Sequence, residues 1–141
     1  MGLLGDGTFG RCLDCLNIKD NNKYAVKIIR PVPRYIDSAK YEADIILEIL
    51  REDNNNLSKI VNMIEYFYFE EKKQNFIALV FEKLGKSLYE FIKENNYRGF
   101  SLENIRNIIK QILEGLAFIH EKLNIVHTDL KVIYKFFLFK S

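Results

Sequence analysis

The seven residues LGDGTFG, at positions 4–10, place glycines at 5, 7 and 10. Because glycine lets a backbone approach another molecule closely, the amide groups of this stretch can contact phosphate oxygens. The spacing G-x-G-x-x-G is shared by several nucleotide-binding folds. A dinucleotide fold has these glycines between a parallel strand and a helix, whereas here they lie in a strand-loop-strand hairpin that is followed by AVK on the next strand. The context therefore favours a hairpin that covers phosphates.

A lysine and a glutamate follow with a spacing that allows an ion pair between a strand and a helix. Lys27 comes directly after Ala25 and Val26, and from the second strand of the hairpin it could pair with α- and β-phosphates. A lone lysine on a strand is more often only solvated. Glu42 lies fifteen residues further along, in the one helix predicted for this half, where it can hold the lysine by an ion pair.

The stretch HTDLK, at positions 127–131, follows a long predicted helix. Asp129 could accept a proton from a hydroxyl group, and Lys131 could steady a phosphoryl group during its transfer. Each of the four features is weak alone. Their occurrence together in this order indicates phosphoryl transfer from a nucleotide.

Composition sets the broad limits. The chain has 141 residues, of which 48% are hydrophobic and 28% charged, as expected for a small globular protein. Its net charge of +2 gives no reason to expect nucleic acid or an anionic membrane as a partner. No leader and no apolar run of about 20 residues are evident. We expect a nuclear or cytoplasmic protein.

Cys12 and Cys15 form a C-x-x-C pattern, which raises the question of a metal site. Zinc needs about four ligands, and the two histidines, His120 and His127, do not have the spacing of a ligand pair. The two cysteines would lie on opposite faces of a strand, because side chains alternate with a period of two. We therefore assign no metal ligands and interpret both cysteines as ordinary strand residues.

The first half reads as a strand-rich unit with one helix. RCLDCLNI and KYAVKIIR are short apolar runs separated by the polar KDNN, a pattern that predicts a β-hairpin. Pro31 and Pro33 would end the second strand, and Asp37 or Ser38 would cap a helix that runs to Leu50. The runs IVNMIEYFYFE and FIALVFE predict two further strands. These strands would form one antiparallel sheet.

The second half is helical after Gly85. KSLYEFIKENN predicts a short helix, and a longer one starts at Ser101. Its apolar residues recur at steps of three and four, which predicts burial of one stripe: Leu102, Ile105, Ile109, Ile112, Leu116 and Ile119.

The four features together are the protein-kinase signature, and the chain resembles a eukaryotic protein kinase from the glycine loop to the catalytic loop. More narrowly, YAVKIIRPVPRYIDSAKYEAD, LVFEKLGKSLYEFIKENNYRGF and HTDLK resemble the LAMMER dual-specificity kinases. The sister family of tyrosine-autophosphorylating dual-specificity kinases shares KIIR and VFE but typically has cysteine where Thr128 stands.

This resemblance implies an α+β fold. Residues 1–84 would form the kinase small lobe and hinge, with a five-stranded antiparallel sheet and one helix between its third and fourth strands. Residues 85–131 would start the large lobe with its first two helices. Residues 132–141 match no part of the family pattern.

The resemblance also implies the site residues. Those that contact the adenine or cover the phosphates of ATP would be Leu4, Gly5, Gly7, Phe9, Gly10, Cys12, Ala25, Phe81 as gatekeeper, and the hinge residues Glu82 and Leu84. Lys27 and Glu42 would form the strand-to-helix ion pair. Asp129 would be the catalytic base and Lys131 a phosphate contact.

The implied function is an ATP-dependent protein serine/threonine or dual-specificity kinase that uses Mg²⁺. Its substrates would be proteins, with Ser/Arg-rich splicing factors as the family example, and no direct contact with nucleic acid or membrane is expected. Thr128 replaces the arginine of the commoner H-R-D form, so control through a phosphorylated activation loop would be absent or different.

One departure from the family pattern follows HTDLK. A kinase has Pro-Glu-Asn there, with the asparagine as a magnesium ligand, whereas this chain has Val132, Ile133 and Tyr134, and it contains no D-F-G. We therefore expect an incomplete and inactive chain, with residues 132–141 a translated intron. A non-catalytic ATP- or partner-binding pseudokinase fragment and a misread gene product are the alternatives.

Overall fold

The computed structural model describes residues 2–55, 57–128 and 130. In chain order its elements are β1 (Gly2–Asp6), β2 (Gly10–Leu16), β3 (Lys23–Ile29), α1 (Pro33–Glu52), β4 (Met63–Glu71), β5 (Gln74–Glu82), α2 (Leu88–Glu94) and α3 (Leu102–Leu123). The expected α+β fold is confirmed. No helix in the described part of the chain combines the length and the apolar character that a membrane span requires.

The strands form one five-stranded sheet in the order β1-β2-β3-β5-β4, and every neighbouring pair is antiparallel. Among the described residues before β4, α1 is the only helix, and it connects β3 to β4 as predicted. β4 and β5 are joined by Lys72 and Lys73, whose φ angles are 50° and 62°. Two successive positive φ angles are typical of the tight hairpin turn that matches strand twist.

One face of the sheet forms a hydrophobic core with α1. Its buried members from the strands are Ile29, Met63, Ile77 and Leu79, and those from the helix are Ala39 and Ala43. The two alanines recur at a step of four, so they lie on one face of α1 and let the helix pack closely on the sheet. This packing fixes where the other residues of α1 lie.

The start of α1 differs from the prediction. The helix begins at Pro33, and the amide groups of Tyr35 and Ile36 both donate to the carbonyl oxygen of Val32. Proline is favoured in the first turn because its φ angle is already helical and its missing N–H is not needed there. Ser38 is not a cap, because its hydroxyl donates to the carbonyl oxygen of Arg34 at 2.8 Å, inside the helix.

The chain divides into two compact units. The first comprises Met1–Leu50 and Val61–Lys83, and the second comprises Arg51–Ile60 and Leu84–Ser141. The segment Arg51–Ile60, which the sequence analysis placed within residues 1–84, thus groups with the second unit. The reason is local packing, because the carbonyl oxygen of Ser58 lies only 2.4 Å from where a Cβ on Gly115 would be.

The two helices of the second unit start where the sequence indicates. Ser87 caps α2, and a reciprocal pair of hydrogen bonds with Glu90 forms a capping box. Ser101 caps α3 by accepting a hydrogen bond from the amide of Asn104 at 3.2 Å. α3 ends at Asn124, which is in the left-handed conformation with a φ of 53°.

The apolar stripe of α3 is buried only toward the end of the helix. Ile119 is buried, and Ile112 and Leu116 are half-buried. Leu102, Ile105 and Ile109, however, are 75%, 41% and 48% exposed. The residues of α3 that are fully buried are Ile108, Gly115 and Ile119. A count of apolar residues passes over Gly115. Because this residue has no side chain, the backbone of Ser58 can pack directly against α3.

A methyl group at position 115 should destabilise the second unit. Gly115→Ala gains helix propensity of roughly 1 kcal/mol, but its Cβ meets the Ser58 backbone, and overpacking of this kind costs about 1–3 kcal/mol. We expect a net fall in Tm of several degrees, measured by circular dichroism. Gly85→Ala is the matched control, because no heavy atom lies within 4 Å of its added Cβ. An unchanged Tm in Gly115→Ala would contradict the packing.

The loop before β4 should lose stability in acid. The Asp53 carboxylate accepts hydrogen bonds from the amides of Leu57 at 2.6 Å and Ser58 at 2.8 Å. Burial acts to raise the pKa of Asp53, but these bonds and one from the Ser58 side chain outweigh it and hold the pKa below 3.8. Because folding lowers the pKa of Asp53, its carboxylate stabilises the folded state at pH values above the ordinary aspartate pKa. This stabilisation is lost as the pH falls through the lowered pKa of the folded state.

Asp53→Asn tests this dependence, because the amide is isosteric but keeps only one acceptor oxygen. We expect Asp53→Asn to unfold at lower urea concentration than the wild type at pH 7, by about 1 kcal/mol. The difference should shrink as the pH falls through the lowered pKa of Asp53, because the wild-type carboxylate is then protonated. A difference that stays constant between pH 7 and pH 3 would show that the carboxylate is not the acceptor.

Candidate nucleotide-binding site

The central strand β3 brings the predicted site residues onto one face of the sheet. Lys27 pairs with Cys12 of β2 on one side and with Leu79 of β5 on the other. Ala25 likewise lies between Asp14 and Phe81. Because directly opposed residues in antiparallel strands share a face, all these side chains project from the side that packs on α1. Cys12, Ala25, Lys27 and Phe81 therefore line one surface.

Lys27 and Glu42 form the ion pair that their spacing suggested. Nζ of Lys27 lies 2.7 Å from Oε1 and 2.9 Å from Oε2 of Glu42. The two side chains are 31% and 44% exposed. A pair this open to solvent contributes less than about 1 kcal/mol to stability. Its effect is positional, since it fixes a strand lysine against a helix glutamate.

The glycine loop is the turn between β1 and β2. The amide of Gly7 donates to the carbonyl oxygen of Gly10 at 3.0 Å and closes the turn. A Cβ on Gly10 would lie 2.3 Å from the Ile28 carbonyl oxygen, whereas one on Gly5 would meet no heavy atom within 4 Å and one on Gly7 only an ordinary contact. The fold itself therefore requires glycine only at position 10. At positions 5 and 7 the missing side chains leave room for a ligand.

Arg30 anchors the same loop, and the sequence analysis missed it. Its Nε donates to the Thr8 carbonyl oxygen at 3.2 Å, and its Nη2 donates to the Gly7 carbonyl oxygen at 3.1 Å and to Oδ1 of Asp6 at 2.9 Å. The available signal was an arginine just after the strand that carries Lys27, together with an acidic residue between the first two glycines. Neither signal gives the contact alone.

The tip of the loop also contacts α1. Phe9, which is 59% exposed, meets the ring of Tyr35 edge-on, with 5.2 Å between the ring centroids. Tyr35 belongs to the first turn of the helix that carries Glu42. The loop and the ion pair are therefore linked through one helix.

The other end of the surface is the end of β5. Phe81 packs against the core, and the amide of Glu82 donates to the Asn62 carbonyl oxygen at 2.9 Å. This bond occupies the Glu82 amide, and Glu82 is also paired with Tyr24 of β3. Beside it, Nζ of Lys83 lies 2.5 Å from Oδ2 of Asp14, and this hydrogen bond holds the pKa of Asp14 below its usual value.

The remaining predicted residues divide into two groups. Leu4 is half-buried in β1 at an irregularity in its pairing, and Leu84 is half-buried at the start of the second unit. Asp129 and Lys131, the predicted base and phosphate contact, lie outside the described residues, as do Val132, Ile133 and Tyr134. No group of three or more His, Cys, Asp or Glu within the described residues could hold a metal ion.

Comparison with known proteins identifies the family. Residues 1–133 match the model of the protein kinase domain. The chain belongs to the protein kinases. It is 42% identical over 129 residues to the serine/threonine-protein kinase AFC3 of Arabidopsis thaliana, covering 91% of this chain and 30% of that protein. It is 37% identical over 129 residues to the dual specificity protein kinase CLK1 of Homo sapiens, covering 91% of this chain and 26% of that protein.

A solved structure supports the same conclusion about the fold. The crystal structure of the PF14_0431 kinase domain matches with a TM-score of 0.81 and 41% identity, over 94% of this kinase chain and 37% of that one. The similarity to AFC and CLK proteins confirms the narrower resemblance to LAMMER-type kinases. The chain spans about a quarter to a third of the length of these curated relatives.

The two outer glycines of the loop should respond differently to substitution. Gly10→Ala forces a Cβ onto the β3 backbone, and we expect it to lower the free energy of unfolding by about 1–3 kcal/mol, measured by urea denaturation. Gly5→Ala has open space and should unfold at the wild-type urea concentration. Equal effects of the two substitutions would refute the assignment of Gly10 as the glycine that the fold requires.

Proposed function

We propose that this chain binds ATP through the glycine loop and the sheet face that carries Lys27, as part of a protein serine/threonine or dual-specificity kinase. The observation that supports this most directly is the Lys27–Glu42 ion pair on the same face as Cys12 and Ala25. A lysine held by two carboxylate contacts keeps its ammonium group at a fixed point. That point suits the charge of the α- and β-phosphates.

The neighbouring residues suit the rest of the nucleotide. Ala25 has the smallest side chain in its row, between Asp14 and Phe81, so it leaves space for a flat base against the sheet. Leu4 and Cys12 would cover that base, and Phe81 would limit its depth. Glu82 and Leu84 would contact its edge through backbone groups. The amides of the glycine loop would contact the phosphates.

Phosphoryl transfer would use residues beyond this surface. Asp129 would accept the proton of the substrate hydroxyl, and Lys131 would stabilise the transferred phosphoryl group. In this family Mg²⁺ neutralises charge on the phosphates. The described residues offer no group that fits this ion, so we assign no ligand and no step to it.

By resemblance, the protein substrates would be Ser/Arg-rich and the location nuclear.

A second function, ATP binding without transfer, is favoured by one feature of the sequence. Val132, Ile133 and Tyr134 occupy the positions of Pro-Glu-Asn, so the asparagine that binds magnesium in the family is replaced by an aromatic residue. We therefore propose that a polypeptide of these 141 residues binds ATP and transfers little or no phosphate.

ATP titration tests the proposed binding. We expect saturable binding by isothermal titration calorimetry, and Lys27→Met should weaken it about tenfold, because the phosphates lose a charged partner. Lys23→Met is the matched control, since Lys23 lies on the same face of β3 at its opposite end and should leave the affinity unchanged. Absence of binding by the wild type at millimolar ATP would overturn the proposal.

A transfer assay on the same sample separates the two functions. With labelled ATP, Mg²⁺ and a basic Ser/Arg-rich peptide, we expect no incorporation of phosphate. Incorporation that disappears in Asp129→Asn would show instead that the chain is catalytically competent. The calorimetric result stands in either case, because it reports binding alone.

A further inference from the structure

We propose that Arg30 is a positioning residue that orients two peptide groups of the glycine loop so that their N–H groups face the phosphates of the nucleotide. The inference rests on the proposed ATP binding and adds a residue outside the glycine motif and outside the Lys27–Glu42 pair. Arg30 directly follows the last residue of β3. Its side chain donates hydrogen bonds to the glycine loop.

Arg30 engages three consecutive carbonyl groups of the loop. The side chain donates to the carbonyl oxygens of Gly7 at 3.1 Å and Thr8 at 3.2 Å. The backbone amide of Arg30 donates to the carbonyl oxygen of Phe9 at 2.9 Å. One residue thus draws the carbonyls of the whole turn to the same side.

The direction of these carbonyl groups also fixes the direction of the amide groups in the same peptide planes. In a planar trans peptide the C=O and N–H bonds point in opposite directions. Because the Gly7 and Thr8 carbonyls point at Arg30, the N–H groups that share their peptide planes, those of Thr8 and Phe9, point away from it. Within the described residues these two amides donate to no acceptor. Successive free N–H groups of this kind form a concave site for anions.

Arg30 shares the one carboxylate of Asp6 with Arg11, so its charge is only partly compensated, and orientation of the loop carbonyls is the effect that distinguishes Arg30 from Arg11. Nη2 of Arg30 lies 2.9 Å from Oδ1 of Asp6, and the other oxygen of that carboxylate accepts from Nε of Arg11 at 3.0 Å. The planar guanidinium group can serve Asp6 and two carbonyls together because its donors are fixed in a fork. A lysine ammonium has the same charge but lacks this fork.

The test compares ATP with adenosine, which shares the base and ribose but has no phosphates. In NMR titrations we expect Arg30→Met to weaken ATP binding about tenfold, because the misoriented amides lose hydrogen bonds to charged phosphates. Adenosine binding should be unchanged. Arg30→Lys should lose most of the same affinity, because it keeps the charge without the fork. Arg11→Met is the matched control, since Arg11 contacts Asp6 but no loop carbonyl, and its ATP affinity should stay within threefold of the wild type.

Two results would overturn the role of Arg30. Equal weakening of ATP and adenosine in Arg30→Met would show a general structural effect, and wild-type affinity in Arg30→Met or Arg30→Lys would show that the fork is not needed. Inorganic tripolyphosphate gives a second readout, because it should shift the amide signals of Thr8 and Phe9 in the wild type but not in Arg30→Met. Failure of the wild type itself to bind ATP is a different result, which removes the proposed function and this inference with it.

Discussion

The pairing of β3 with both of its neighbours is the constraint on which the candidate site depends. This strand is central, and its register with β2 and β5 decides which side chains share a face. A slip of one residue would turn Lys27 to the opposite face, away from α1 and from Glu42. The same pairing brings Gly10 against the Ile28 backbone, where only a hydrogen atom fits. Loop, lysine and helix are thus placed by one ladder of backbone hydrogen bonds.

Much of this arrangement could be predicted because it is encoded locally. Alternating apolar runs and polar turns indicated the strands, and helical spacing of apolar residues indicated α2 and α3, whose serine caps the structure adds. The Lys27–Glu42 contact followed from a spacing that a strand and a packed helix can satisfy together. Where a short motif and its neighbouring element agree, sequence alone is enough to place a residue pair.

The features that could not be predicted depend on contacts between distant residues. The buried face of α3 is set by Ser58, which is far from Gly115 in sequence, and a count of apolar residues gives no weight to a glycine. Arg30 contacts a loop more than twenty residues earlier, and nothing in its own neighbourhood marks it as different from an exposed arginine. The start of α1 was missed because the two prolines were interpreted only as the end of a strand.

The strand order also has a kinetic consequence. β1, β2 and β3 are joined by short turns, as are β4 and β5, but β3 and β5 pair across roughly fifty residues, as with Ile28 and Ala78. Closing so long a loop makes this pairing slower than formation of the hairpins. Cys12 and Ala25 come from the early part, and Phe81 comes from the later hairpin. We therefore expect the surface for the base to be assembled at the last step of sheet formation, so that competence to bind a nucleotide reports completion of folding.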